Sequence, residues 1–268
     1  NDEELNPFNA DKECNTEAEI DFLNAIYEYI NKNTSDLFDD FVKKHIESGN
    51  VTEKDLKTIG LLDKNTKIYR GMGMKGDVFA QIIGGFPLFK TGAWKNNYTI
   101  TRAEGSHDIK IVLKTGRYKQ LRSVDSWSDN LMSAEVFAVG RGSGGECGII
   151  LVSDTSSATF INFEKVYELS RKIETIQRQL SKKNIDVSIP NALAGIGRFS
   201  NENETLKLGK EKVDITEVHF YYKHIFGNEK KEKQFLEAMK KGFAKVKGLD
   251  PDLAAKAFAK NCKLAIKK

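Results

Sequence analysis

The hydrophobic period changes twice along this 268-residue chain, and that limits its fold more than any other feature. Over residues 16–58 apolar side chains recur at helical spacing: Ile20, Leu23, Ile26, Tyr27 and Ile30, then Leu37, Phe38, Phe41, Val42 and Ile46. Thr52, followed by Glu53 and Asp55, opens a further short helix. No proline falls between Pro7 and Pro87 to break this region. After Gly60 short segments rich in Ile, Val, Thr and aromatics alternate with turn residues, the pattern of strands. Strands are expected at 67–69, 98–101, 108–114, 148–152, 159–163, 205–208 and 213–222. A Gly-rich stretch follows the first of them as far as Gly85, and a polar helix over 164–182 interrupts the series. The helical period then returns: Phe235, Leu236, Met239, Phe243 and Val246 share a face. Gly248 ends that helix, and Asp250-Pro251 opens the last one, which carries Leu253, Ala254, Ala257, Phe258 and Leu264.

This order predicts an α+β fold: N-terminal helices over 1–60, a mixed β-rich core over 61–226 and a basic helical tail over 227–268. The length suffices to bury a substantial core. Apolar runs such as 148–152 are too short to span a bilayer, so no membrane span is expected. Residues 1–6 are acidic and polar and lack the basic-then-apolar pattern of a secretory leader. Cys14, Cys147 and Cys262 are far apart, and His45, His107, His219 and His224 form no ligand spacing. Reduced thiols and no metal are therefore expected.

Charge is divided along the chain. Residues 1–60 hold fifteen Asp and Glu against six Lys, whereas residues 229–268 hold twelve Lys against five acids. The basic tail is a candidate surface for an acidic partner or for nucleic-acid-bound machinery; a solvated helix face has the same composition.

Three short motifs could carry chemistry. Tyr69-Arg70-Gly71 ends the first expected strand; an Arg there offers a fork of donors suited to a diphosphate, and the Gly lets backbone approach a ligand. Ser126-Trp127-Ser128 in a strand points both serines to one side and the Trp to the other. Glu202-Asn203-Glu204 sits in a polar, Gly-containing loop that leads into a strand, where two carboxylates at i and i+2 share a side. Each motif alone also fits a surface arginine, an ordinary alternating strand and two solvated glutamates. Phe86, Phe89, Trp94 and Tyr98 are either core or rings that stack on a base.

Taken in order, the three motifs closely resemble the Arg, Ser-Thr-Ser and Glu-x-Glu signature of the arginine-type mono-ADP-ribosyltransferases, the clade of cholera-like and clostridial binary toxins and of tailed-phage enzymes. The stretch from Gly195 through Gly197, Ser200, Asn201, Glu202 and Glu204 to Leu208 is the most specific piece, and the resemblance covers roughly residues 16–225. Trp127 stands where the family has Thr, and long gaps between motifs imply insertions near 96–122 and 164–183.

The resemblance implies a central mixed two-sheet β core and NAD⁺ as the substrate. It implies that Arg70 and Gly71 meet the diphosphate and that Ser126 hydrogen-bonds Glu204. Ser128 lines the nicotinamide-ribose pocket. Glu204 stabilises the sugar cation, and Glu202 activates an arginine acceptor on a target protein. The biological setting implied is a phage or bacterial effector acting in host cytoplasm, delivered by virion or by secretion. An NAD⁺ glycohydrolase would need Arg70, Ser126 and Glu204 but not Glu202. A non-enzymatic nucleic-acid-binding module would need only the basic tail. NAD-capped RNA is an alternative donor.

Overall fold

The computed structural model describes residues 16–32, 34, 36–58, 60–86, 98–102, 109–113, 117–118, 125–140, 146–165, 203–209, 211–221 and 228–267. Helices lie towards both ends of a mixed α/β chain, and the strand pairs whose register is described are antiparallel. Two compact units form, each from three stretches of sequence. One combines Asn1–Thr66, Gln120–Asp129 and Thr155–Glu211; the other combines Lys67–Lys119, Asn130–Asp154 and Lys212–Lys268.

In the first unit α1 (Thr16–Lys32) buries Ala18, Phe22, Ala25 and Ile26, a stripe at helical spacing that Tyr29 continues. Tyr27, expected on the buried face, is 39% exposed, because one helical step turns it away from that stripe. Phe22 packs against Phe38 and Phe41 of α2 (Asp36–Phe41), with ring centroids 6.2 and 5.2 Å apart. A π-helical turn, Val42–Ile46, prolongs α2 and presents His45 to the interior, where its Nε2 lies 2.8 Å from Asp21. Before α3 (Glu53–Thr58), Thr52 and Asp55 cap one another. The Thr52 hydroxyl accepts from the Asp55 N–H at 3.2 Å, and the Asp55 carboxylate accepts from the Thr52 N–H at 2.7 Å.

The second unit is built on the ladder β2-β3-β10-β6-β1. Its strands are β1 (Lys67–Met74), β2 (Tyr98–Arg102), β3 (Ile109–Leu113), β6 (Cys147–Asp154) and β10 (Glu217–Tyr221). A short pair, β4 (Arg117–Tyr118) with β9 (Val213–Asp214), belongs to it as well. The single strand expected at 213–222 is thus divided into β9 and β10. The first strand is longer than expected and runs to Met74, since a ladder partner is available along all of β6. The Gly-rich stretch beyond it is α4 (Gly76–Gly85), whose Phe79, Ala80 and Ile83 are buried.

Residues 131–140, which carry no strong period, form α5 (Leu131–Glu135) and a π-helical turn (Val136–Gly140). Asn130 caps this helix by accepting from the N–H groups of Met132 and Ser133. Close approach explains two glycines. A Cβ on Gly71 would stand 1.7 Å from the Ala134 carbonyl oxygen, and one on Gly148 would stand 2.3 Å from that of Ala138.

The basic tail is part of the core. In α6 (Glu229–Phe243) and α7 (Pro251–Lys267), Phe235, Met239, Phe243, Phe258 and Cys262 are buried. Phe79 stacks on Phe220 at 4.8 Å and on Phe235 at 6.2 Å, and meets Phe258 edge-on at 5.5 Å. The lysines occupy the outer faces, with Lys230, Lys231, Lys233, Lys241, Lys256 and Lys260 exposed. Burial pushes the Cys147 thiol up to about 12 and raises that of Cys262.

Gly148→Ala should cost about 1–3 kcal/mol or more, because the clash is with backbone. Gly85→Ala, with nothing within 4 Å of the added carbon, should be neutral or stabilise by up to about 1 kcal/mol. Urea denaturation of both variants checks the contrast.

Candidate functional site

Three antiparallel strands of the first unit, β5 (Asp125–Ser128), β7 (Thr159–Asn162) and β8 (Glu204–Leu208), run in the order β5-β8-β7. The register sets Ser128 opposite Glu204, Trp127 opposite Thr205, Ser126 opposite Leu206 and Asn162 opposite Thr205. The C-terminal ends of β5 and β7 therefore meet the N-terminal end of β8. Ser128-Asp129, Asn162-Phe163-Glu164 and Asn203-Glu204 collect at one end of the ladder.

Alternation sorts the side chains by face. Ser126, Ser128, Glu204 and Leu206 share one face. Asp125, Trp127, Thr205 and Lys207 share the other. Trp127 is buried at 2% exposure and meets Phe160 edge-on at 5.9 Å, as expected for the centre of the Ser-x-Ser motif. Ser128 is the direct cross-strand neighbour of Glu204, and Ser126 lies diagonal to it.

Glu204 is only 6% exposed. Its Oε1 accepts a hydrogen bond from the Tyr29 hydroxyl at 2.9 Å. Tyr29 reaches it from α1, and its ring is held edge-on by Phe38 at 6.2 Å and Phe163 at 6.4 Å. A carboxylate is rarely buried without such support. Asp129 stands at the same end. Partial desolvation raises its carboxyl above the usual range; a hydrogen bond that the carboxylate accepts from its own backbone N–H opposes this, and the nearby charge of Glu164 adds to it. Neither Tyr29 nor Asp129 belongs to the motifs read from sequence. Tyr29 has only its place on the α1 stripe to mark it, and Asp129 only its place after Ser128.

The other face of β8 carries Lys207, which is fully buried. Its ammonium donates to the Gly209 carbonyl at 2.7 Å and lies 3.8 Å from Glu211. Burial pushes this lysine below its ordinary range, while Glu211, Asp125 and Asp39 pull it back. Asp125, itself buried, is its cross-strand partner. Sequence reading passed over Lys207 because lysine in a strand ordinarily marks a solvated position.

The remaining expected residues fall as follows. Arg70 belongs to the second unit and lies within β1 rather than at its end, half-buried between Ile68 and Met74, with Nε 3.3 Å from the Met72 sulfur. Gly71 faces α5, and the room left by its missing side chain is taken by the Ala134 carbonyl. Glu202 lies outside the described residues. Asn203, the first described residue before β8, is in the left-handed region, with φ of 47°. Phe86 is core, at 1% exposure, and is no stacking platform. Phe89 and Trp94, and the side chain of Tyr98, lie outside the described residues.

Among the described residues no group of three His, Cys, Asp or Glu side chains gathers as a metal site, and no helix is long and apolar enough to cross a membrane. Compared with family models, with curated proteins and with solved structures, the chain finds no match.

A lysine whose folded-state value is depressed binds fewer protons than the unfolded chain does, so folding gains as pH rises from that lowered value to about 10.4. Below the window the cost of burying the charge is constant. The stability of the wild type relative to Lys207→Met should therefore climb with pH up to about 10.4. Urea unfolding of both proteins across alkaline pH reads this directly, and a flat difference would show that Lys207 is not strained as a cation.

Proposed function

We propose that the chain is a mono-ADP-ribosyltransferase, which breaks the bond between nicotinamide and ribose in NAD⁺ and passes ADP-ribose to an arginine of a target protein. The observation that carries this reading is Glu204: a buried carboxylate at the head of β8, across from Ser128 and held by Tyr29. It stands third in a chain order of Tyr69-Arg70-Gly71, Ser126-Trp127-Ser128 and Glu202-Asn203-Glu204. In the same reading the strands are those of a mixed two-sheet ADP-ribosyltransferase core.

The chemistry follows from the charges. Nicotinamide leaves with the electron pair of the glycosidic bond, and the ribose carbon becomes cationic. Glu204, already fixed and poorly hydrated, stabilises that charge without having to reorganise; a preorganised group of this kind is worth roughly 10²–10³ in rate. Ser128 lines the ribose side of the carboxylate, and Ser126 stands one diagonal away. Arg70 supplies a bidentate donor for a diphosphate, with the backbone at Gly71 beside it. The arginine acceptor attacks the ribose carbon through a guanidinium nitrogen, whose proton passes to Glu202. No step calls on a metal, because nicotinamide is a sufficient leaving group.

The target proposed is a host protein in the cytoplasm, reached by virion or by secretion. The exposed lysines of α6 and α7 are the proposed contact for an acidic or nucleic-acid-associated partner.

With NAD⁺ labelled in the adenylate, wild-type protein should label proteins in a bacterial lysate, and Glu204→Ala should lower this by about 10²–10³. Glu202→Gln should keep nicotinamide release while losing label on arginine. Release without any labelled protein in the wild type would make water the acceptor and the protein a glycohydrolase.

A further inference from the structure

We propose that Tyr29 is a positioning residue for Glu204, a role that rests on the transferase reading just given. The Tyr29 hydroxyl donates to Glu204 Oε1 at 2.9 Å, across 175 residues of sequence. Its ring is clamped between Phe38 of α2 and Phe163, which follows β7, both fully or nearly buried. Such a clamp fixes the position of the hydroxyl, and the ring contacts survive loss of the oxygen. Family resemblance gives the task of orienting this carboxylate to Ser126. The register puts Ser126 opposite Leu206, on the same face as Glu204 and diagonal to it, and the N-terminal helix adds a donor at Oε1.

Two consequences follow for the chemistry. A donor on Oε1 fixes the orientation of the carboxylate. A donor also favours the ionised form, which the reaction needs, over the protonated one. The ionisable groups gathered at this end of the ladder are Asp129 after β5, Glu164 beyond β7 and Tyr29 from α1.

The test is Tyr29→Phe, which keeps the ring and removes the hydroxyl, with Tyr29→Leu to report on the clamp. Nicotinamide release is followed against pH, and the Glu204 carboxyl carbon is titrated by NMR in wild type and Tyr29→Phe. The expected result is a kcat about ten-fold lower, a KM for NAD⁺ within two-fold of wild type, and an acid limb moved to higher pH together with the Glu204 titration. A Tyr29→Phe protein with wild-type kcat and an unmoved acid limb would overturn the proposal, as would loss of activity with no change in the Glu204 titration, which marks a structural role. If wild type releases no nicotinamide, the transferase reading fails by itself. The titration then decides Tyr29 alone: an upward move upholds its hold on Glu204, and no move refutes it.

Discussion

Burial of all five residues of β8 is the constraint on which the first unit depends. Two of the five, Glu204 and Lys207, are ionisable, and they point to opposite faces of the same strand. An isolated charge in such surroundings costs several kcal/mol, so each must be answered locally. Lys207 is answered by a backbone carbonyl and by acids on its own face, and it anchors the turn at Gly209. Glu204 is answered from another element, the helix α1, through a phenol fixed by two phenylalanines. The packing of α1 and α2 around Phe22, Phe38 and Phe41 is therefore also what delivers a donor to the candidate catalytic carboxylate.

The second unit solves a different problem. Its ladder is covered by helices that come close enough to require glycine or alanine at the contact. Gly71 and Gly148 admit the carbonyls of Ala134 and Ala138, and Gly242 of α6 admits that of Asp77 in α4. A cluster of phenylalanines from α4, β10, α6 and α7 fills the opposite layer. The lysine-rich C-terminal segment is thus bound by its inner face, and its charge is a property of a packed surface. Removing the segment would remove core, so the proposed contact is better probed by changing exposed lysines such as Lys256 and Lys260 than by truncation.

Much of this organisation was legible in the sequence, and the failures have physical causes. Helix and strand periods located α1, α2, β6, β7, β8 and the C-terminal helices, because those elements bury one face or both. The Thr52 and Asp55 cap was visible for the same reason: its chemistry is local. The helix α5 and the π-helical turn after it were missed because their inner face is made of alanines, Ala134 and Ala138, while Met132, Val136 and Val139 on the outer face are exposed. Apolar period there points away from the core. At the candidate site the strand alternation of Ser126-Trp127-Ser128 could be read directly. The pairing of Ser128 rather than Ser126 with Glu204 could not, since register is set between strands far apart in sequence. Tyr29 was hidden for the same reason: nothing near it in sequence announces a carboxylate 175 residues away. At Gly71 the room left by the missing side chain is taken by a helix carbonyl, a close approach that nothing near it in sequence announces.

The most direct measurement is the rate of nicotinamide release from NAD⁺ by the purified wild-type protein beside Glu204→Gln, a substitution that keeps the shape and removes the charge. If Glu204 stabilises a ribosyl cation, wild type releases nicotinamide and the variant is slower by about 10²–10³. Equal rates in the two proteins, or no release by wild type in the presence of protein acceptors, would contradict the assignment of Glu204 as the catalytic carboxylate of an NAD⁺-cleaving enzyme.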